Sequence, residues 1–273
     1  MPAITVRRMS FAYPDELDPV ILPGEPEESY TILGLSLLLP YLEPYLIRTM
    51  NAARKRIQDP ALRDDIKRFS AQEGQHYREH ARFNDAIRRQ GFPALAALEE
   101  ELARDYERFS ARRSLRFNLA YAEGFEAMTT ATARFFLLDR KTRPMPARVD
   151  ALMCWHAIEE LEHRTVAFDV YERLYGGYLY RLGAGLFAQW HLLRFVIRVA
   201  RAMLDADPRW PSGYDGEAGR KRRRRGLTRR LVFGLLPKLL PTYAPWYTPR
   251  KIAFDEEMQA LARRFSREAK STS

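Results

Sequence analysis

The sequence predicts an all-α fold, an antiparallel four-helix bundle with added C-terminal helices. Three observations predict it. Apolar residues recur at steps of three and four along most of the chain. Glycine is sparse, 14 in 273 residues, and no run of alternating β-branched residues is long enough for a sheet. The chain is 46% hydrophobic and 12% aromatic, which supplies a sizeable core and excludes disorder.

The first helix is predicted over about residues 32–57, despite Pro40 and Pro44. A second covers about 61–89 and ends at Gly91, a suitable C-cap. A long helical region follows from about 93 to 138, with a break near Ser110, and "RKTRPMPARVD" is a loop. The next helix runs over about 149–174 and stops at Gly176-Gly177. A basic amphipathic helix covers about 180–204. "DADPRWPSGYDGEAG" has the Pro, Gly, Asp and Ser of a loop, and from Lys221 onward the chain is a basic, apolar, proline-interrupted tail. These divide the chain into an N-terminal arm (1–29), a helical bundle (30–204) and a C-terminal extension (205–273).

The single cysteine, Cys154, excludes an internal disulfide and fits a reducing cytosol. The opening "MPAITVRRMSFAYPDELDPV" has no apolar h-region, so no signal peptide is expected. The most hydrophobic window, "GAGLFAQWHLLRFVIRVARAML", is interrupted by His191, Arg194, Arg198 and Arg201, too polar for a bilayer centre. A cytoplasmic location is expected, with contact at most peripheral, on the inner face of the membrane.

The second helix carries an anomaly. Ile66, Phe69, Glu73, His76, His80, Phe83 and Ile87 form one stripe at helical spacing, with a carboxylate and two imidazoles where core residues belong. The later helix repeats it: Leu152, His156, Glu160, His163, Val166 and Val170. An unpaired buried carboxylate costs on the order of several kcal/mol, so each needs a partner, and a metal ion is one. Glu-x-x-His thus occurs twice, as Glu73/His76 and Glu160/His163, and each pair converges beside its helix. One such motif arises by chance; two on core stripes are a stronger signal, and four of the 5 histidines fall in these segments.

A dinuclear carboxylate site completes this half with one Glu from each of two further helices. The first helix offers Glu43, 30 residues before Glu73. The third offers Glu126, 34 before Glu160, and Glu123, 37 before it; the closer match favours Glu126 and leaves Glu123 beside the site. Four carboxylates and two imidazoles suit iron, or manganese, more than zinc or copper. Gln72 and Glu159, each just before a motif glutamate, are placed to orient the histidines of the opposite helix. His80 is a candidate for a supporting role, a proton relay or an alternative ligand. Cys154 reads as a small core residue, and His191 as surface among arginines.

This layout resembles the ferritin-like di-iron carboxylate proteins. More closely, "QEGQHYREHARFN" and "WHAIEELEHRTVAFDVY" resemble signature segments of a bacterial family labelled predicted metal-dependent hydrolases; "PYLEPYL" in the first helix departs from that family's Pro, Gly and Glu run. His156, four residues before Glu160, matches a position where aminobenzoate N-oxygenase-type di-iron enzymes carry a third imidazole. That resemblance makes His156 a metal ligand, reaching the ion held by Glu160 and His163. The alternative is a core histidine bonded to Glu159 or Glu123.

The function expected first is a two-metal enzyme, a di-iron one by preference, that uses dioxygen to oxidise a small organic substrate and draws on an electron donor. The alternative is a metal-dependent hydrolase whose dinuclear centre activates water. Iron storage is disfavoured, since nothing suggests a cage. The net charge of +10 is concentrated in "GRKRRRRGLTRR", and neighbouring Leu, Phe, Trp and Tyr fit peripheral contact with anionic lipid. No nucleic-acid-binding module is recognisable.

Overall fold

The computed structural model describes residues 3–271. They form helices α1 (Pro26–Arg54), α2 (Pro60–Arg88), α3 (Leu95–Arg112), α4 (Leu115–Asp139), α5 (Ala147–His163), α6 (Val166–Leu174), α7 (Tyr178–Ala206), α8 (Gly216–Arg230), α9 (Leu236–Leu239) and α10 (Glu256–Ser271). No strand occurs among the described residues.

Local chemistry sets the boundaries. Asp59 caps α2 by accepting from Ala61 N at 2.9 Å, with Pro60 in the first turn. Ser114 caps α4 through Phe117 N at 3.2 Å, so the predicted break falls at Arg113–Ser114 rather than Ser110. The helix expected over 149–174 is interrupted at Arg164–Thr165, where Arg164 turns its guanidinium onto the carbonyls of Leu161, Pro249 and Ile252. Gly176 and Gly177 take φ of 58° and 89°, a left-handed turn that stops α6 and admits α7. The basic stretch after 216 is helical, not loose: α8 passes through a wider turn at Leu231–Leu235 into α9.

α1 packs along α2, α4 packs on α5 and α7, and α1 also touches α4 and α7. α4 and α7 cross where Gly124 meets Gly185: a Cβ on Gly124 would lie 2.2 Å from Gly185 Cα. α1 is the helix, among the described residues, that is long and apolar enough to cross a membrane, but 61% of its apolar window is buried inside the protein. It carries Glu43 into the core. Pro40 explains a second feature of α1. Lacking an N–H, it leaves the Ser36 carbonyl without its helical donor, and Asn84 Nδ2 of α2 fills the gap at 2.9 Å.

One expectation fails here. His191 is buried, not a surface residue among arginines. Its Nε2 meets Asp105 at 3.1 Å and its Nδ1 meets the Tyr121 hydroxyl at 2.9 Å, because α7 turns that side into the aromatic cluster of α3 and α4.

Candidate metal centre

α1, α2, α4 and α5 each send glutamate into one buried cluster. Glu43, Glu73, Glu126 and Glu160 are at most 2% exposed, as are His76 and His163. His163 Nε2 faces Glu73 at 3.2 Å, Glu126 at 3.3 Å and Glu160 at 3.4 Å. His76 Nδ1 faces Glu160 at 3.8 Å and Glu73 at 4.0 Å. Three sets of ligand atoms each lie within 4.8 Å of one another: Glu43, His76 and His156; Glu73, His76 and Glu160; Glu73, Glu126 and His163.

His156, with 12% of its side chain exposed, sits otherwise than expected. It joins His76 and Glu43 rather than His163, and stacks on His76 with ring centroids 4.3 Å apart. Its polar neighbours are Glu160, 3.0 Å from Nε2, and His80, 2.9 Å from Nδ1, not Glu159 or Glu123. One turn of α5 separates His156 from Glu160, and the next carries His163 past it toward Glu126.

The hydrogen-bond network fixes which nitrogen of each ring carries a proton. Asn84 Nδ2 donates to the Ser36 carbonyl, so its Oδ1 accepts the Ser36 hydroxyl at 2.6 Å. Ser36 Oγ then accepts from His80 Nδ1 at 2.8 Å, which leaves His80 Nε2 to accept from His156 Nδ1 at 2.9 Å. The lone pair of His156 Nε2 therefore points at Glu160 Oε1, 3.0 Å away. On the other side, Gln72 Nε2 donates to Glu162 and to the Thr5 carbonyl, so Gln72 Oε1 accepts from His163 Nδ1 at 3.0 Å. Glu159 accepts from His76 Nε2 at 3.0 Å. Three imidazoles are thus turned with lone pairs toward a cluster of carboxylates, acceptor facing acceptor. Both oxygens of Glu43, Glu73 and Glu126, one of Glu160, and the inward nitrogens of His76 and His163 lack any hydrogen-bond partner. Buried acceptors left unanswered in such number fit cations, and oxygen and imidazole donors fit a metal ion.

The electrostatics agree. Burial, then the neighbouring carboxylates, pushes Glu43 well above the usual carboxylate range. Burial also raises Glu73, against the pull of His163, and lifts Glu126 to about 7. For Glu160 burial is outweighed by His163 and His156, which hold its carboxyl well below the usual range. Burial likewise opposes a charged His163, but Glu160 and Glu126 raise it well above an ordinary imidazole. The cluster seeks positive charge from whatever source it has.

Several supporting residues were not legible beforehand. Arg7, 3% exposed, reaches in from the N-terminal arm and binds Glu159 at 2.9 Å and Glu162 at 2.6 Å. Thr5 N adds a bond to Glu162 at 3.1 Å. Glu162 had a faint signal, three residues after Glu159 on the same face; Arg7 had none. Trp155 packs edge-on to His76 at 4.9 Å. Glu123 does not enter the cluster. It pairs with Arg181 of α7 at 2.8 Å, and burial lifts its carboxyl to about 7. Cys154 is buried, with its thiol pushed up to about 12 by burial.

The chain matches the family described as predicted metal-dependent hydrolase over residues 5–253, and it belongs to that family. No curated protein and no solved structure matches it.

Proposed function

We propose that the chain is a metal-dependent hydrolase that holds two divalent ions between α1, α2, α4 and α5, in a ferritin-like arrangement. The observation that supports this most is the set of three imidazole lone pairs and seven unpartnered carboxylate oxygens converging on one buried cluster. Glu43, Glu73, His76, Glu126, His156, Glu160 and His163 would hold the metal. When bound, a metal pair supplies Lewis acidity and lowers the pKa of water to near neutrality. The family description favours this hydrolytic reading over the oxidative one.

The chain's own residues do the rest. Gln72 and Glu159 keep His163 and His76 in the tautomers that present lone pairs inward. Arg7 ties Glu159 to Glu162 and so locks the outer layer. His80 holds the His156 Nδ1 proton, and the Ser36–Asn84 pair passes that restraint to the α1 backbone. Phe69 packs edge-on to His163 at 4.7 Å and Trp155 on His76, which excludes water from the imidazole faces.

A second reading, oxidation of an organic substrate with dioxygen at an iron pair, is favoured by the donor set: carboxylates outnumber imidazoles, and no thiolate joins the ligand sets. One experiment separates the two. The protein is stripped and reloaded with manganese, zinc or iron, and metal is counted by mass spectrometry. Ester, amide and phosphoester cleavage is followed without oxygen, and oxygen uptake by the reduced iron form is followed in parallel. The proposal expects about two ions per chain and anaerobic cleavage. No bound metal would end both readings; oxygen uptake without cleavage would replace the first by the second.

A further inference from the structure

α7 buries one side against α1 and α4 and turns the other to solvent. Along that outer side Leu179, Leu186, Trp190, Leu193 and Ile197 are all exposed, at helical spacing. A second exposed ridge follows α8 into α9. Lys221 stands three and four residues before Arg224 and Arg225, Arg229 four after Arg225, and Val232 and Phe233 continue the same groove. Leu236 and Leu240, at the next steps along the chain, are exposed too, and Phe233 and Trp246 are 75% and 78% exposed. The ridges adjoin, since Leu186 and Gln189 of α7 share a crevice with Thr242 and Tyr243, and the Tyr243 hydroxyl donates to Gln189 at 2.5 Å.

Charge separates this surface from an ordinary solvated face. Many arginines nearby are neutralised within the fold: Arg223 by Glu27, Arg230 by Glu28, Arg222 by Asp215, and both Arg194 and Arg198 by Glu101. Among the described residues, no carboxylate pairs with Lys221, Arg224, Arg225 or Arg229, nor with Arg201 at the end of the α7 stripe. Unpaired cations beside protruding Trp, Phe and Leu are what an interface between headgroups and acyl chains accommodates.

We propose that these two ridges form one surface that docks peripherally on an anionic phospholipid bilayer. Lys221, Arg224, Arg225 and Arg229 meet the phosphate-bearing headgroups, while Phe233, Leu240, Trp246 and Trp190 insert among the upper acyl carbons. A nucleic acid duplex would satisfy the cations but offers nothing to the exposed leucines and tryptophans. A second copy in a two-fold contact would set the cationic ridge against itself.

The test is co-sedimentation of the full chain with vesicles of phosphatidylcholine alone and of phosphatidylcholine with phosphatidylglycerol. Binding is expected to the anionic vesicles only, falling as salt rises. Each basic residue near such a surface is worth about fivefold in partitioning, so the fourfold variant Lys221→Ser, Arg224→Ser, Arg225→Ser, Arg229→Ser should bind several hundredfold more weakly. Phe233→Ser with Trp246→Ser should weaken binding by about tenfold or more at unchanged salt dependence. All these side chains are exposed, so unchanged melting curves confirm that the variants fold. Three results would overturn the proposal: no vesicle binding, wild-type binding by the fourfold variant, or a duplex DNA or self-association partner that these substitutions abolish while vesicles are ignored.

Discussion

Replacing Arg7 by Met tests whether the N-terminal arm belongs to the candidate metal centre. The guanidinium makes five hydrogen bonds: to Glu159, to both oxygens of Glu162, to the Thr5 carbonyl and to Ser266 Oγ. Methionine fills much of the same volume and makes none of them. Glu162 would keep Thr5 N and Gln72, but Glu159 would keep only His76. Removing one partner of a buried ion pair costs about 3–5 kcal/mol, which for a chain of this size lowers the melting temperature by about 10 °C. A second effect reaches the metal. Burial already lifts the Glu159 carboxyl to about 7 while Arg7 pulls it down; without Arg7 it carries a proton at neutral pH. A protonated Glu159 can donate to His76 Nε2, so the ring proton moves to Nδ1 and the inward lone pair is lost. Loss of such an outer partner weakens metal binding by about 10–100-fold. The assay is a thermal melt of the metal-free protein together with a calorimetric metal titration. Arg7→Met combined with Glu159→Gln should regain the metal affinity and part of the stability, since the amide oxygen still accepts from His76 and the stranded charge at 159 is gone, while Glu162 keeps only Thr5 N and Gln72. Wild-type metal affinity in Arg7→Met would refute the tautomer argument, whatever the melt shows.

Gly124→Ala should destabilise by about 1–3 kcal/mol in urea titration, because overpacking at the α4–α7 crossing exceeds the gain in helix propensity; Gly74→Ala, whose Cβ meets nothing within 4 Å, should stabilise by about 0.5–1 kcal/mol. His156→Ala removes a donor from the Glu43–His76 set and leaves the Glu73–Glu126–His163 set whole; metal content should fall from about two toward one per chain, read by mass spectrometry, and an unchanged content would mean that His156 is not a ligand. The metal-free protein should lose stability as pH rises from about 6.5 toward 8. Well above 6.5, His76 and His80, lowered by burial and His156, are neutral folded and unfolded, whereas His163, Glu43, Glu73, Glu126, Glu123 and Glu159 have raised folded values. The native state then binds more protons than the unfolded one, so stability falls with pH; denaturant midpoints across that range, flattened by added metal, are the check.

The helices and the inward glutamates were legible because burial leaves a periodic trace: a polar residue on an apolar stripe stands out from its own neighbours. Glu73, His76, Glu160 and His163 are of that kind, and the similar spacings back to Glu43 and Glu126, 30 and 34 residues, followed from them. Arg7 left no trace, because an arm without regular structure, meeting a helix residue 152 positions away, has no period to break. His191 misled for the opposite reason. Arg194 and Arg198 follow it at helical spacing, but α7 buries Leu192 and Phe195 beside it, and His191 turns inward with them. The end of α5 was missed because Arg164 and Thr165 are acceptable in a helix; carbonyls from a distant segment, at Pro249 and Ile252, divert the arginine.

The sequence also made the two halves of the site look equivalent, and the structure makes them unequal. Each half has a Glu-x-x-His helix and an outer partner for its histidine, Gln72 for His163 and Glu159 for His76. Where α5 places His156 one turn before its motif, α2 places Phe69, and Phe69 packs on His163. Where α2 places His80 one turn after its motif, α5 has ended and Ala167 of α6 stands there. His76, His156 and His80 therefore gather at one end, with Ser36 and Asn84 behind them, and the His163 end is walled by an aromatic ring. An ion at the first end would have two imidazoles and a relay of exchangeable protons; one at the second would have a single imidazole among carboxylates. A protein that only needed metal to hold its helices together would gain nothing from that inequality. The inequality fits the proposed reading, in which one ion would carry the chemistry and the other would balance charge.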